Sequence, residues 1–377
     1  MLKQARNNYD ESGGLYEGMN IVAVGGKIGY LNEEGFEAVA CEYDDACNFC
    51  GDYATVCKNC KWGIIDKIGQ IVVPLMSDTP CWSYKSYKYF IASNNGRFAI
   101  STVERGFPKS FPFDGVAIFV DGYGNEILED VVAVMVGDLW TIINITGVQS
   151  PFTLQFRHLG MEPEGRKHYS ASIFHSFHNV KWPGVIGVCL PFAIKHPNNG
   201  RWGYVNSDLK LTVPFVDEGS KEHTYDDSLV IIKTNGRMGL VDIETGRFVI
   251  PAVYDLVRQF YYGEPFDFFC IADGAYDDRW RFFGGRQGVV NIKGDIVVPQ
   301  QYQMIKMIVW NQPFFLAYDL KDRSYDLNYC TPEFKYKFNK EQSVIYIYAS
   351  DGNMVEKLKY SEESRCRDVI SKYENDI

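Results

Sequence analysis

Cys47, Cys50, Cys57 and Cys60 carry the strongest chemical signal in this sequence, standing in CNFCGDYATVCKNC with the spacing C-x2-C-x6-C-x2-C. Each CxxC pair can turn its backbone so that two thiolates face one tetrahedral ion, and one structural zinc held by all four is the expected chemistry. An ion with four protein ligands has no open position for a water nucleophile, so its role would be to staple two loops. The six-residue gap is shorter than the roughly 15–20 residues usual between two such pairs. Four reduced thiols on a hairpin, or a redox dithiol, stand as the alternatives.

A second group is His158, His168, His175 and His178, within Phe152 to Pro183. They could supply metal ligands or a general base, but no nearby carboxylate pairs with them and no helical i, i+4 spacing is present, so loop histidines are expected. Gly25-Gly26 and Gly284-Gly285 lack both the Lys-Ser/Thr of a phosphate loop and the three-glycine dinucleotide pattern, and read as turns. The acidic pairs Asp44-Asp45, Asp226-Asp227 and Asp277-Asp278 lack the ligand spacing of an EF-hand and read as solvated loops. Aromatic runs such as Phe260-Tyr261-Tyr262 could stack on a ligand, but core packing is the expectation for an all-β chain.

The elements that must position these residues recur along the chain. GGKIGYLNEEGFEAVACEYD from Gly25, NCKWGIIDKIGQIVVPLMSD from Asn59, NGRWGYVNSDLKLTVPFVDE from Asn199, NGRMGLVDIETGRFVIPAVYD from Asn235 and GRQGVVNIKGDIVVPQQYQ from Gly285 are copies of one unit. Pro74, Pro214 and Pro299 follow Gly63, Gly203 and Gly288 by 11 residues, and Pro251 follows Gly239 by 12. A weaker copy starts at Asn95, with Phe113-Asp114 where the first has Tyr43-Asp44, and Leu139 opens a further candidate. Asn95-Gly96, Asn199-Gly200 and Asn235-Gly236 suit type I′ hairpin turns. A second turn, as at Thr245-Gly246, introduces a third strand that the proline is expected to end. Each unit is thus a three-stranded meander of about 35 residues, too small to bury its own face, which must stack on its neighbours. The glycines inside the second strand are expected to have a neighbouring aromatic packed on them. Cys60 falls where other copies have glycine, so a side chain there needs a compensating interaction if φ is positive.

KWGIID at Lys61 and RWGYVN at Arg201, with the downstream VVP or TVP and Tyr-Asp, resemble the WG repeat, a bacterial β-rich repeat. The resemblance covers about two-thirds of the chain, and the Trp-Gly pair itself survives in two copies. It implies tandem β units used for interaction and carries no general catalytic motif.

The expected architecture is all-β: tandem three-stranded meanders stacked as a solenoid or a propeller-like array, with a short C-terminal helix. Residues 1–14 read as an N-terminal tail, 15–155 as repeats with the four-Cys hairpin, 156–183 as an irregular His-containing insertion, 184–350 as further repeats and 351–377 as a C-terminal segment. Within the last, Tyr360 to Tyr373 reads as a helix capped by Ser361, with Cys366, Val369, Ile370 and Tyr373 forming one apolar stripe that covers a repeat end. With 25 Tyr, 25 Phe and 7 Trp in 377 residues the chain folds. Its net charge of −10 disfavours nucleic acid and anionic membrane as partners of the whole surface. No export signal and no membrane-spanning run is present, which points to the cytoplasm. The functional expectation is a non-enzymatic scaffold binding a protein partner. The alternative is an enzyme, or a small-ligand or glycan receptor, with its site in the His-containing insertion or between repeats.

Overall fold

The computed structural model describes residues 9–81, 89–120, 128, 130–145, 155–157, 185–219, 228–261, 265–276, 282–283, 285–309, 312–325 and 336–375. They form two compact units, one of residues 1–199 with 207–210 and the other of residues 200–206 with 211–377. Both are built of small sheets of two to four strands, almost all antiparallel. The parallel exception is Val185–Cys189, which lies beside Gly115–Val120.

The first two repeats show the unit most fully. β1 (Glu11–Tyr16), β2 (Met19–Val24), β3 (Lys27–Asn32) and β4 (Glu37–Tyr43) form one sheet; β5 (Asp45–Ala46), β6 (Tyr53–Lys58), β7 (Lys61–Asp66) and β8 (Ile71–Ser77) form the next. Both residues of the first turn are left-handed at Asn59-Cys60, Asn95-Gly96 and Asn235-Gly236, as a type I′ hairpin requires. At Asn199-Gly200 only the glycine has positive φ. The second turn is held by the Asp or Asn that ends the second strand: Asp66 Oδ1 accepts from the N–H groups of Ile68 (3.1 Å) and Gln70 (2.8 Å), and Asn291 Oδ1 from those of Lys293 and Asp295 (both 2.9 Å).

The third strand corrects two expectations. Proline does not end it: β8 runs on through Pro74 to Ser77, and Pro251 and Pro299 are likewise interior to their strands. The register explains why, for Trp62 faces Ser77 while Ile64 faces Val73, so the residues around Pro74 bulge away from the ladder and the missing N–H costs nothing. The same jump recurs at Met238↔Tyr254 with Leu240↔Ile250, and at Gln287↔Tyr302 with Val289↔Val298. This bulge, not an aromatic, occupies the space over the second-strand glycine. A Cβ on Gly63 would stand 2.5 Å from the Val73 carbonyl oxygen, and one on Gly239 2.7 Å from that of Ile250.

As expected, the cores form between repeats. Met19, Ile21, Tyr30 and Tyr43 of the first sheet pack with Val56 and Ile65 of the second, and Ile64 and Val73 pack with Phe90 and Ala92 of the third. In the second unit Leu240 and Ile250 share a core with Phe269 and Ile271.

A carboxylate clasp joins successive hairpins. Asp44 receives the ammonium of Lys27, from the turn of its own repeat, and accepts the N–H of Asn59 in the next turn at 2.6 Å. Asp78 does the same with Lys61 and Asn95 (2.5 Å), and Asp114 with Arg97 (2.7 Å) and Gly137 (2.8 Å). In the second unit Glu218 joins Arg201 (3.4 Å) to Asn235 (3.0 Å), and Asp255 joins Arg237 (2.8 Å) to Gly274 (2.9 Å). The backbone N–H of each clasp residue also donates to the strand before that turn: Asp44 to Cys57, Asp78 to Ser93, Asp114 to Met135, Glu218 to Lys233 and Asp255 to Ala272, all at 2.7–3.0 Å.

The chain closes on a four-stranded sheet (Met304–Val309, Pro313–Tyr325, Tyr336–Ala349, Met354–Lys359) covered by a 3-10 turn, Tyr360–Arg365, and the helix Cys366–Asn375. Cys366 and Ile370 are buried against Phe314, Leu316 and Tyr318, with Val369 and Tyr373 beside them, so the predicted stripe does cover a repeat end. Ser361 is not the cap. The helical segment starts directly from the last strand, which puts Lys359 at the N-cap, its N–H donating to Glu362 Oε2 at 3.2 Å.

Two measurements check this frame. Gly239→Val is expected to cost about 1–3 kcal/mol, the scale of an overpacked interior, with a matching fall in Tm; a wild-type melting curve would refute the close backbone approach. Asp78→Ala is expected to cost about 1 kcal/mol, as for a lost helix cap. The hydrogen bond from Lys61 holds the Asp78 carboxyl below the usual carboxylate range. Its contribution is therefore present above the unfolded value near 3.9 and lost as pH falls through the lower folded value. Denaturant melts of the variant and wild type should converge as the pH drops below about 4.

Candidate functional site

The cysteine hairpin sits at the junction of the first two sheets. Cys57 is the next-to-last residue of β6, opposite Trp62, and is buried against that indole. Cys60 lies at the tip of the following turn, exposed, at φ 59°. The side chain thus occupies a left-handed position held by glycine at Gly96 and Gly236, as the alignment of the copies anticipates. Cys47 and Cys50 lie on the connection between β5 and β6. The N–H of Cys47 donates to the Thr55 carbonyl at 2.9 Å and its own carbonyl accepts from Tyr30 Oη at 2.5 Å. Cys50 bridges to Tyr53 and packs against Ile64, Val73 and Phe90.

The structure separates the four residues into two neighbourhoods. Cys57 and Cys60 share the β6–β7 turn. Cys50 joins the core of the buried Cys81, whose carbonyl accepts from Thr55 Oγ1 at 2.8 Å, and Cys47 lies close enough to the Cys81 thiol to act on it electrostatically. Among the described residues no three His, Cys, Asp or Glu side chains gather closely enough to hold a metal ion. The sequence reading passed over Cys81; its signal was a lone cysteine just past a third strand.

Burial first, and nearby carboxylates second, keep Cys47, Cys50, Cys57 and Cys81 protonated. Burial, with Asp45 nearby, pushes Cys47 up to about 12, and burial pushes Cys81 up to about 12. Cys57 is raised to about 11 by burial and by Asp44 and Asp45, and Cys50 is raised by burial and by Glu17. A thiolate at any of these four positions needs a cation to form near neutral pH.

His158, His168, His175 and His178 lie outside the described residues, as do most of 156–183 and the acidic pairs at 226–227 and 277–278.

A second feature is the solvent side of the third strands. Ile71, Pro74 and Met76 are exposed along β8, and Phe248, Pro251 and Val253 repeat the pattern on Arg247–Tyr254. The cause is the bulge, which turns three apolar positions per strand away from the ladder face that packs on the next repeat. No helix of the described residues is long and apolar enough to cross a membrane.

No curated protein matches the chain. Among solved structures it is similar to a eukaryotic initiation factor, at 10% identity over 93% of this chain and 88% of that one, with a TM-score of 0.32. It is also similar to Hsv2p of Kluyveromyces lactis, at 9% identity over 89% of this chain and 98% of that one, with a TM-score of 0.26. The tricorn protease gives 11% identity over 91% of this chain and 34% of that one, with a TM-score of 0.23. At such scores these likenesses carry no inference. The family model described as the WG containing repeat matches residues 28–62, 62–98 and 238–266, each on the turn, glycine and bulge frame laid out above, and the chain carries WG repeats at these positions.

Proposed function

We propose that the chain is a non-enzymatic repeat scaffold whose first unit docks a protein partner on the solvent side of its third strands. One observation supports this above others: Ile71 and Met76 are 51% and 52% exposed, with Ile68 at 78% in the turn that leads into their strand. Clustered large side chains left in water mark interaction surfaces. The exposed Glu34 and Glu37 of the preceding repeat suit a partner segment that is apolar with basic flanks. The net charge of −10 gives no reason to look to nucleic acid or an anionic membrane.

Quantitative affinity purification from the native host, comparing wild type with the double variant Ile71→Lys, Met76→Lys, tests the reading. A protein enriched with the wild type should fall at least about tenfold with the variant, the loss of a small apolar hot spot. If the same proteins are recovered in equal amounts with both, this surface is not the docking site.

Within the scaffold, Cys47, Cys50, Cys57 and Cys60 are proposed to hold one structural zinc. The doubled CxxC spacing and the side chain at the left-handed position of the turn support it. Holding one ion with all four requires the Cys47–Cys50 connection to approach the turn from its place beside Cys81. Protein purified under reducing conditions without chelator should then carry about one equivalent of zinc, with Cys60 unreactive to thiol reagents until a chelator is added. Less than about a tenth of an equivalent, with Cys60 reacting at once, would sink the metal site.

A further inference from the structure

We propose that the second unit forms a two-fold dimer with a second copy of this chain, through the third strands Arg247–Tyr254 and Ile296–Tyr302. Phe248 of one copy would pack on Ile296 of the other, and Arg247 would pair with Asp295 of the other. This stands independently of whether the first unit engages a partner.

Both strands carry exposed apolar residues. Phe248, Val253 and Ile296 are 49%, 55% and 66% exposed, and Pro251 and Pro299 are exposed between them. They are adjacent because the turn before Ile296 rests on the strand that carries Phe248. A Cβ on Gly294 would stand 2.6 Å from the Val249 carbonyl oxygen, an approach that the glycine, at φ 91°, permits.

Charge decides what covers this surface. Arg247 and Asp295 occupy the same position in successive repeats, each one residue after the turn glycine and one before the exposed apolar residue, and both are exposed. Their signs are opposite. Asp295 Oδ2 receives the Asn291 amide at 3.0 Å, while no ion pair holds Arg247 among the described residues. A two-fold axis between the repeats lays each on the other: Arg247 meets Asp295, Phe248 meets Ile296, and symmetry makes both contacts twice. In the first two repeats Phe36 and Gln70 stand at the equivalent position, so no such pair of opposite charges is present there. The interface is therefore self-complementary in the second unit, although the chain as a whole carries a charge that repels its copies.

Sedimentation equilibrium of the full chain from about 1 to 100 μM measures it, within the range where dimers of this kind dissociate. The wild type should show a concentration-dependent dimer, and Phe248→Lys or Ile296→Lys should leave monomer. Arg247→Asp and Asp295→Arg should each weaken association at least about tenfold, because each reversal replaces two attractive pairs by two repulsive ones. The double reversal should restore it to within about threefold. All four positions are solvent-facing, and thermal melts establish that each variant is folded; one that is not leaves three to decide. A wild type that stays monomeric throughout, a dimer indifferent to these substitutions, or a double reversal without rescue each overturns the proposal.

Discussion

Each repeat hangs on the one before through the carboxylate at the end of the third strand. A two-residue hairpin turn leaves its leading N–H pointing away from the hairpin, where in an isolated peptide it meets water. Here the carboxylate of Asp44, Asp78, Asp114 or Glu218 takes it, and the backbone N–H of the same residue bonds the strand that leads into that turn. Two bonds from one residue fix both the height and the tilt of the next hairpin. The Lys or Arg after the preceding turn holds the carboxylate in the rotamer that makes this reach. As an exposed, salt-screened ion pair it adds little to stability, so its value lies in orientation. Repeated at each interface, the arrangement makes coupling a nearest-neighbour property, and local loss of one clasp loosens one junction.

The clasp sets the geometry of the third strand, and from that follow the bulge, the glycine and the exposed apolar line. To deliver its last residue to the next turn, the strand must shift register against its neighbour partway along. The shift brings its backbone over the second strand, where a Cβ would collide with a carbonyl, and glycine is required at Gly63 and Gly239. Proline fits the bulge because the N–H there has no ladder partner, and it blunts an edge that could otherwise pair with another chain. Residues on either side of the proline then face water. The apolar side chains placed there are surplus to the fold, and both interaction readings rest on that surplus.

Much of this was legible in residue order because it is local. The hairpin turns at Asn95-Gly96 and Asn235-Gly236 follow from residues that tolerate positive φ, and the terminal helix from the spacing of Cys366, Val369, Ile370 and Tyr373. What escaped depends on register. The alternation of apolar residues places Pro74 after a strand and cannot show that the strand resumes on a shifted ladder, so the occupant of the space over Gly63 was misassigned to an aromatic. The clasp was visible as a recurring acid, Asp44 aligned with Asp114, but its partners lie 15 or more residues away on two different turns. Cys81 shows the same limit: spacing groups Cys47 with Cys57, whereas the fold sets Cys47 beside a thiol from the next connection.

Asp44 joins the architecture to the chemistry of the cysteine hairpin. The carboxylate that orders the Asn59-Cys60 turn is one of the two that disfavour a Cys57 thiolate, so the feature building this junction makes it a poor place for an anion. The same field favours a cation. Cys60 projects into it from a backbone position that costs a side chain some strain and is exposed, while Cys57, three residues earlier, is sealed against Trp62. An agent arriving from solvent must meet Cys60 first and can engage Cys57 only by opening the packing on that indole. Since the turn is also the point where the second repeat hangs on the first, any such engagement would act on the inter-repeat junction itself.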